Sequence, residues 1–149
     1  MQSEKKNRVI RPLRLDDLPE IIAIERICFP DAWSAESFRG VLQNKLFYCC
    51  GLFENRLEGY LIAMIAAGEL HILNIAVRPE SRRRGIAEEI YFQTFRKYEK
   101  KIALAYLEVR TTNFPAIAFY QKLGFQEAGI RRRYYPDGED AILMTLVVG

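Results

Sequence analysis

The chain has 149 residues, 50% of them apolar and 28% charged, with a net charge of +3 and three cysteines. That length suits one domain spanning residues 1–149 and burying roughly 68–70% of its unfolded surface, and so mild a charge argues against nucleic acid as an obligatory partner. No apolar run approaches ~18 residues, residues 1–8 are polar, and Cys28, Cys49 and Cys50 fit no metal or redox spacing; these features predict neither a membrane span nor a secretion signal, and suit a reducing cytoplasm.

After a loose basic start at residues 1–8, residues 9–13 read as a short strand, with Pro12 confining it to an edge or a strand end. Asp16 and Asp17 offer N-caps to a helix reaching Cys28, in which Leu18, Ile21, Ile22, Ile24 and Cys28 recur at helical spacing. Phe29-Pro30-Asp31 breaks that helix, and Ser34 can cap a second one with Phe38, Val41 and Leu42 turned inward. The sole tryptophan, Trp33, lies between the two, where it either packs on the core or lines a substrate entrance. Residues 47–53 and 57–67 form a hairpin about Glu54-Asn55-Arg56, and Gly68 turns the chain into a strand at 70–77.

A helix follows from Ile86 to about residue 100, its apolar stripe made by Ile86, Ala87, Ile90, Tyr91, Phe95 and Tyr98. Residues 103–109 are the next strand. Asn113 caps a short helix with Pro115 in its first turn and Ile117, Tyr120 and Leu123 on one face; Gly124 ends it as the left-handed C′ residue. Strands near 126–134 and 141–148 flank the turn Pro136-Asp137-Gly138. The order β-α-α-β-β-β-α-β-α-β-β predicts an α/β (α+β mixed sheet) architecture, a mixed central sheet with helices on both faces.

Residues 74–90, N-I-A-V-R-P-E-S-R-R-R-G-I-A-E-E-I, join an apolar strand to a helix through a basic turn with one glycine. Unpaired N–H groups at the helix start, the helix dipole and a glycine permitting close approach together make a diphosphate cradle. The turn has neither G-x-x-x-x-G-K-S/T nor G-x-G-x-x-G. Its pattern is Arg82-x-x-Gly85-x-Ala87 after Val77-x-Pro79. This resembles the acetyl-CoA-binding segment of the GNAT superfamily of N-acetyltransferases, in which the last position is glycine or alanine.

Leu107-Glu108-Val109-Arg110, Asn113, Ala116-Ile117-Ala118-x-Tyr120, Leu123-Gly124-Phe125, Arg131-Arg132-x-Tyr134-Tyr135-Pro136 and Glu139-Asp140-Ala141-Ile142 follow in order. The set is similar to one branch, the RimI-type bacterial ribosomal-protein alanine N-acetyltransferases. The resemblance is dense over residues 74–144 and looser before them, where an extra Asp31-Ala32 separates Phe29-Pro30 from Trp33. It implies a GNAT-like fold and acetyl transfer from acetyl-CoA, without a metal, to a protein N-terminal α-amine, that of an alanine on a ribosomal protein, by direct attack in a ternary complex. It assigns Ile75, Ala76 and Val77 to backbone pairing with the pantetheine arm. It assigns Arg83, Arg84, Gly85, Ile86, Ala87 and Glu88 to the diphosphate, and Asn113 to the arm.

An amine attacks only as the neutral base. Deprotonating an α-amine at pH 7 costs roughly 1.4 kcal/mol against roughly 4.6 for lysine, so an N-terminus needs one modest base. Glu108, in an otherwise apolar strand, is expected to have a pKa raised by desolvation. The residues alone leave open whether it is that base or an outward ion-pair partner of an arginine; the resemblance favours the base. In the family the tyrosine at the Tyr120 position is the general acid for the thiolate, the alternative being a core tyrosine. His71, the single histidine, reads as a strand residue, and Cys49 and Cys50 as core. Tyr134 and Tyr135, with Asp137, Glu139 and Asp140, form either a peptide-binding lip favouring a basic segment or a plain hairpin. Alternative readings are an acetyltransferase for another N-terminus, a lysine or a small amine; a non-catalytic CoA-binding module; and an RNA-contacting ribosome accessory using Arg82 to Arg84 and Arg131 to Arg133.

Overall fold

A computed structural model describes residues 7–148. The expected loose start falls mostly on residues 1–6, which lie outside the described residues; Arg8 is pinned between Glu54 and Glu89 at 2.7 and 2.8 Å. The elements are β1 (Val9–Pro12), α1 (Leu18–Cys28), α2 (Ala35–Leu42), β2 (Phe47–Phe53), β3 (Leu57–Ala66), β4 (Glu69–Val77), α3 (Ile86–Tyr98), β5 (Leu104–Arg110), α4 (Phe114–Lys122), β6 (Gln126–Arg131) and β7 (Ala141–Val147). The order is the one the sequence predicts. No helix among them is long and apolar enough to cross a membrane.

The strands form one seven-stranded sheet in the order β1-β2-β3-β4-β5-β7-β6. Alternation sorts its two faces. Cys49, Tyr60 and Ile62 pack with Ile21, Ile24 and Phe38 of α1 and α2. Their neighbours Cys50, Leu61 and Ala63 pack with Ile86, Ile90 and Tyr91 of α3 and Ile117 and Tyr120 of α4. Both faces are therefore covered, so β3 reads as a continuous apolar run rather than an alternating one. Pro12 is tolerated because β1 is an edge strand paired only with β2.

Two local expectations change. Asp17 sits at the N-cap position of α1 but makes no cap bond. Its carboxylate instead accepts both Arg11 Nη atoms at 2.8 and 2.9 Å and the Arg14 amide at 2.7 Å. β6 stops at Arg131, short of the predicted Tyr134, because Arg133 takes a positive φ of 50° and its amide bonds the Asp140 carboxylate. Ser34 caps α2 as predicted, its hydroxyl accepting from the Ser37 amide at 3.1 Å.

What positions the site is a break in the sheet. β4 and β5 run parallel but pair only from Glu69↔Leu104 to Ile72↔Leu107. The β3 register jumps there, Ala63 facing Ile72 and Ile62 facing Asn74, which leaves Leu73 as a bulge. A bulge bends and twists its strand, and past it β4 pairs with β3 alone while β5 pairs with β7 alone. A wedge opens inside the sheet, facing the C-terminal ends of two parallel strands that each lead into a helix.

Candidate active site

The wedge holds a pocket of about 170 Å³, lined by Glu25 and Phe29 of α1, Asp31 and Trp33 of the following connection, Ile72, Leu73, Asn74 and Ile75 of β4, Leu107, Glu108, Val109 and Arg110 of β5, Asn113, Ala116 and Tyr120 around α4, and Tyr135. Six predicted site residues meet here: Glu108, Tyr120, Ile75, Asn113, Trp33 and Tyr135.

Glu108 enters from the face covered by α1 and α2, since its neighbours Leu107 and Val109 point into the α3–α4 core. Its Oε1 lies 2.7 Å from His71 Nε2, and its Oε2 accepts from Arg131 Nε at 3.1 Å. His71 also stacks on Tyr106 at 4.2 Å, so the imidazole is held on two sides. The expected upward pKa shift is overturned. Burial pushes the Glu108 carboxyl up, but the hydrogen bonds and charges of His71 and Arg131 outweigh it and hold the group below its usual value. Glu108 is thus both a pocket carboxylate and an ion-pair partner of an arginine.

Tyr120 enters from the opposite face and is 6% exposed. Among the described residues its hydroxyl has no recorded partner, yet it is not sealed off, so it reaches the pocket. Burial raises its pKa and keeps it protonated across the neutral range. Its helix is fixed at both ends. Asn113 Oδ1 accepts from the Ala116 amide at 3.3 Å, leaving the amide NH₂ for other partners. Gly124, at φ 103°, completes a Schellman motif in which the Phe125 amide donates to the Tyr120 carbonyl and the Gly124 amide to that of Gln121, both at 3.0 Å.

The predicted cofactor residues form a continuous strip. Past Ile72, the β5-facing edge of β4, carrying Ile75, Ala76 and Val77, has no strand partner. Gly85 precedes α3 with φ 74°, and Arg83 is also left-handed at φ 63°. Among the described residues, the amides of Arg83, Arg84, Gly85, Ile86, Ala87 and Glu88 have no recorded acceptor; the first helical bond is from Glu89 to the Gly85 carbonyl. This is the donor array a diphosphate requires. The arginine charges are largely spent: Arg84 pairs with buried Glu54 at 2.6 Å, and Arg82 donates to the Val77 carbonyl and Cys28 Sγ. Buried Glu58 holds the Ser81 hydroxyl. Buried carboxylates thus brace the loop while its backbone points outward.

At the other side of the pocket, Trp33 both packs on Phe38, with ring centroids at 5.2 Å, and lines the opening. Tyr135 lines the pocket beneath Arg110, whose guanidinium lies 4.1 Å from its ring, and Tyr134 meets Tyr135 edge-on. The acidic turn does not face outward as a free basic-peptide lip. Arg110 takes Asp137 and Glu139 at 2.8 Å each, and Asp31 of the extra Asp31-Ala32 at 3.0 Å.

Glu25 is the residue that sequence reasoning missed. It is 1% exposed and accepts from the Tyr60 hydroxyl, from the Asn74 amide group at 2.7 Å and from the Trp33 backbone at 3.0 Å. The signal was available: a glutamate one turn from Ile21 and Ile22, on the apolar stripe of α1. His71 was missed because only the fold brings it to Glu108.

Residues 18–125 match the acetyltransferase (GNAT) family. The chain is 37% identical to the ribosomal protein bS18-alanine N-acetyltransferase of Escherichia coli, covering 93% of this chain and 97% of that one. It is 34% identical to an N-alpha-acetyltransferase of Saccharolobus solfataricus, covering 91% and 90%. The crystal structure of the Escherichia coli ribosomal-protein-S18-alanine N-acetyltransferase superposes with a TM-score of 0.88 at 36% identity, over 96% of this chain and 95% of that one. The fold and the split sheet are those of an acyl-transferring enzyme, and this chain belongs to the GNAT acetyltransferase family. It is an N-terminal N-acetyltransferase.

Proposed function

We propose that the chain transfers acetyl from acetyl-CoA to the N-terminal α-amine of an alanine on a ribosomal protein, by direct attack within a ternary complex. The carrying observation is that Glu108, hydrogen-bonded to His71, and Tyr120 enter one pocket from opposite faces of the split sheet. The Escherichia coli relative's name supplies the alanine and the ribosomal protein. Acetyl-CoA, when bound, supplies a thioester carbonyl and a thiolate leaving group. The free edge at Ile75, Ala76 and Val77 would hold its arm together with the Asn113 amide, and the amides from Arg83 to Glu88 its diphosphate.

The amine side then rests on Glu108. Moving a proton from an α-ammonium to an ordinary glutamate costs roughly 5 kcal/mol, and a lowered Glu108 pKa raises that cost. Glu108 therefore orients the ammonium and receives its proton, directly or through water, only as half of a pair with His71. On the leaving-group side, an ordinary phenol lies about 1.5 units above a thiol, so full proton transfer to thiolate is uphill by roughly 2 kcal/mol. Tyr120, raised further by burial, acts first as a hydrogen-bond donor to the departing sulfur. Trp33, Tyr134 and Tyr135 wall the acceptor residue.

The comparable similarity to an N-alpha-acetyltransferase, 34% identity, supports a second reading, a wider range of acceptor N-termini. The RNA-contacting alternative loses ground because Arg82, Arg84 and Arg131 are engaged within the protein. Incubation with acetyl-CoA and a panel of N-terminal peptides, a lysine peptide and a polyamine tests the proposal. Acetylation of alanine-starting ribosomal peptides is expected; modification of the lysine peptide or polyamine alone would overturn it.

A further inference from the structure

Arg8 reaches the loop before α3 from 76 residues away in sequence. Each nitrogen of its guanidinium takes a different acceptor: Nε the Glu54 carboxylate at 2.7 Å, Nη1 the Glu89 carboxylate at 2.8 Å and Nη2 the Arg84 carbonyl at 3.4 Å. Glu54, whose side chain is 2% exposed, holds Arg84 Nη2 on its other oxygen at 2.6 Å. One buried carboxylate from the β2–β3 turn thus anchors two guanidiniums, and one of them also grips the backbone beside Gly85. Resting on the reading of residues 83–88 as the diphosphate cradle of an acetyl-CoA enzyme, we propose that Arg8, seated on Glu54, is a positioning residue for cofactor binding. It sets the direction of the cradle's amides without touching the diphosphate itself.

A trans peptide is planar, with its C=O and N–H pointing in opposite directions, and the described residues contain no cis bond. Holding the Arg84 carbonyl toward Arg8 therefore aims the Gly85 amide the other way, among the amides that have no recorded acceptor within the described residues. The peptide needs such a hold. It lies between two left-handed residues, Arg83 at φ 63° and Gly85 at φ 74°. A non-glycine residue in that region persists only where its surroundings over-determine it. The ion pair with Glu89 adds a second constraint, since the Glu89 amide makes the first helical bond of α3, to the Gly85 carbonyl. Arg8 thus fixes the peptide before Gly85 and the helical turn after it together. Its charge is already engaged by two carboxylates, so it supplies direction rather than attraction for an anion.

Arg8→Ala leaves Glu54 its bond to Arg84, so the variant should fold. CoA affinity is measured by titration calorimetry on wild type and variant. KM and kcat are measured with an alanine-starting peptide for acetyl-CoA and for S-acetylpantetheine, which carries the same thioester and arm but no diphosphate. In Arg8→Ala, the Kd for CoA and the KM for acetyl-CoA are expected to rise about tenfold, as for loss of a charge-assisted hydrogen bond. The KM for S-acetylpantetheine and kcat at saturation should change little. Arg8→Lys keeps a cation for Glu54 but lacks the planar fork that serves three acceptors at once. It is expected to restore the Tm that Arg8→Ala loses, but not the CoA affinity. An unchanged Kd, or an equal rise in KM for both donors, would overturn the proposal. Recovery of CoA affinity in Arg8→Lys would also overturn it, by showing that charge alone suffices. A wild type that binds CoA yet acetylates no N-terminal peptide would overturn the acetyltransferase reading, and the CoA titration would still decide the role of Arg8.

Discussion

His71 Nε2 lies 2.7 Å from Glu108 Oε1, joining β4 to β5 at the last paired rungs before the strands separate. In the proposed reaction, the pair stands where the entering amine sheds its proton. Glu108→Gln keeps the shape and removes the charge; it is expected to lower kcat at pH 7 by ~10²–10⁴-fold, the range of general-base catalysis. The loss should shrink at alkaline pH, where more amine is already neutral. His71→Ala should also slow turnover, and the double variant should be little worse than Glu108→Gln because the two act as a unit. Wild-type turnover by Glu108→Gln at pH 7 would remove it from the role.

Arg131 sets the acidic end of that profile. The folded Glu108 pKa lies below its unfolded value, so its contribution to stability is present above the ordinary glutamate range and is lost as pH falls through the lowered value. His71, Tyr106, Tyr134 and Arg131 surround it, and Arg131 is the permanent cation among them. Arg131→Gln should move the acid limb of kcat/KM to higher pH. Because Arg131 is half exposed, solvent screening should keep the shift small. An unmoved limb would mean the ion pair is electrostatically idle.

The backbone order, the caps at Ser34 and Asn113 and the stop at Gly124 were legible because each rests on local chemistry: periodicity, a side-chain oxygen, a positive φ. The unpaired edge of β4 and the amide array before α3 were legible for the same reason, since a strand, a glycine and a helix start are contiguous in sequence. The pKa of Glu108 was not. Burial could be guessed from Leu107 and Val109, but His71 and Arg131 lie 37 and 23 residues away, and their charges decide the direction. The acidic turn misled for a related reason. Asp137 and Glu139 look free in sequence, whereas the fold brings Arg110 between them and Asp31.

Tyr120→Phe removes only the hydroxyl that reaches the pocket. Turnover should fall with little change in acetyl-CoA affinity, because the ring still packs against Phe119 and Phe125. Since the role proposed for the donor is a hydrogen bond to a charged group, the loss should correspond to about 1.5–3 kcal/mol, or roughly 10–150-fold in kcat. A variant impaired in acetyl-CoA binding alone would make the hydroxyl structural.

Gly85 separates backbone conformation from space. Its φ is 74°, and an added Cβ would touch nothing within 4 Å. Gly85→Ala should therefore cost only the left-handed penalty, roughly 1–2 kcal/mol. Relief of that strain would turn the amides of Arg83 to Glu88 away from their common direction. The expected result is a raised acetyl-CoA KM, by about 5–30-fold if the whole penalty falls on binding, with kcat at saturation less affected. An unchanged KM would show that the loop tolerates a side chain there and does not hold the diphosphate through its backbone.

Glu25 joins three parts of the proposed acceptor wall: Tyr60 on β3, Asn74 on β4 and the Trp33 backbone. Glu25→Ala would leave two buried or part-buried donors and one backbone amide without their acceptor. At about 1–3 kcal/mol for each unsatisfied group, partly relieved by water, a destabilisation of roughly 3 kcal/mol is expected. For a chain of this size that corresponds to a fall of roughly 6–12 °C in Tm. Glu25→Gln keeps one acceptor oxygen and should lose less. Below the melting range, peptide KM should rise in both variants while acetyl-CoA KM moves little, because Trp33 and Asn74 belong to the acceptor side of the wedge and the diphosphate loop is braced separately by Glu54 and Glu58. Equal rises in both KM values would mean that Glu25 supports the whole split sheet rather than its acceptor wall.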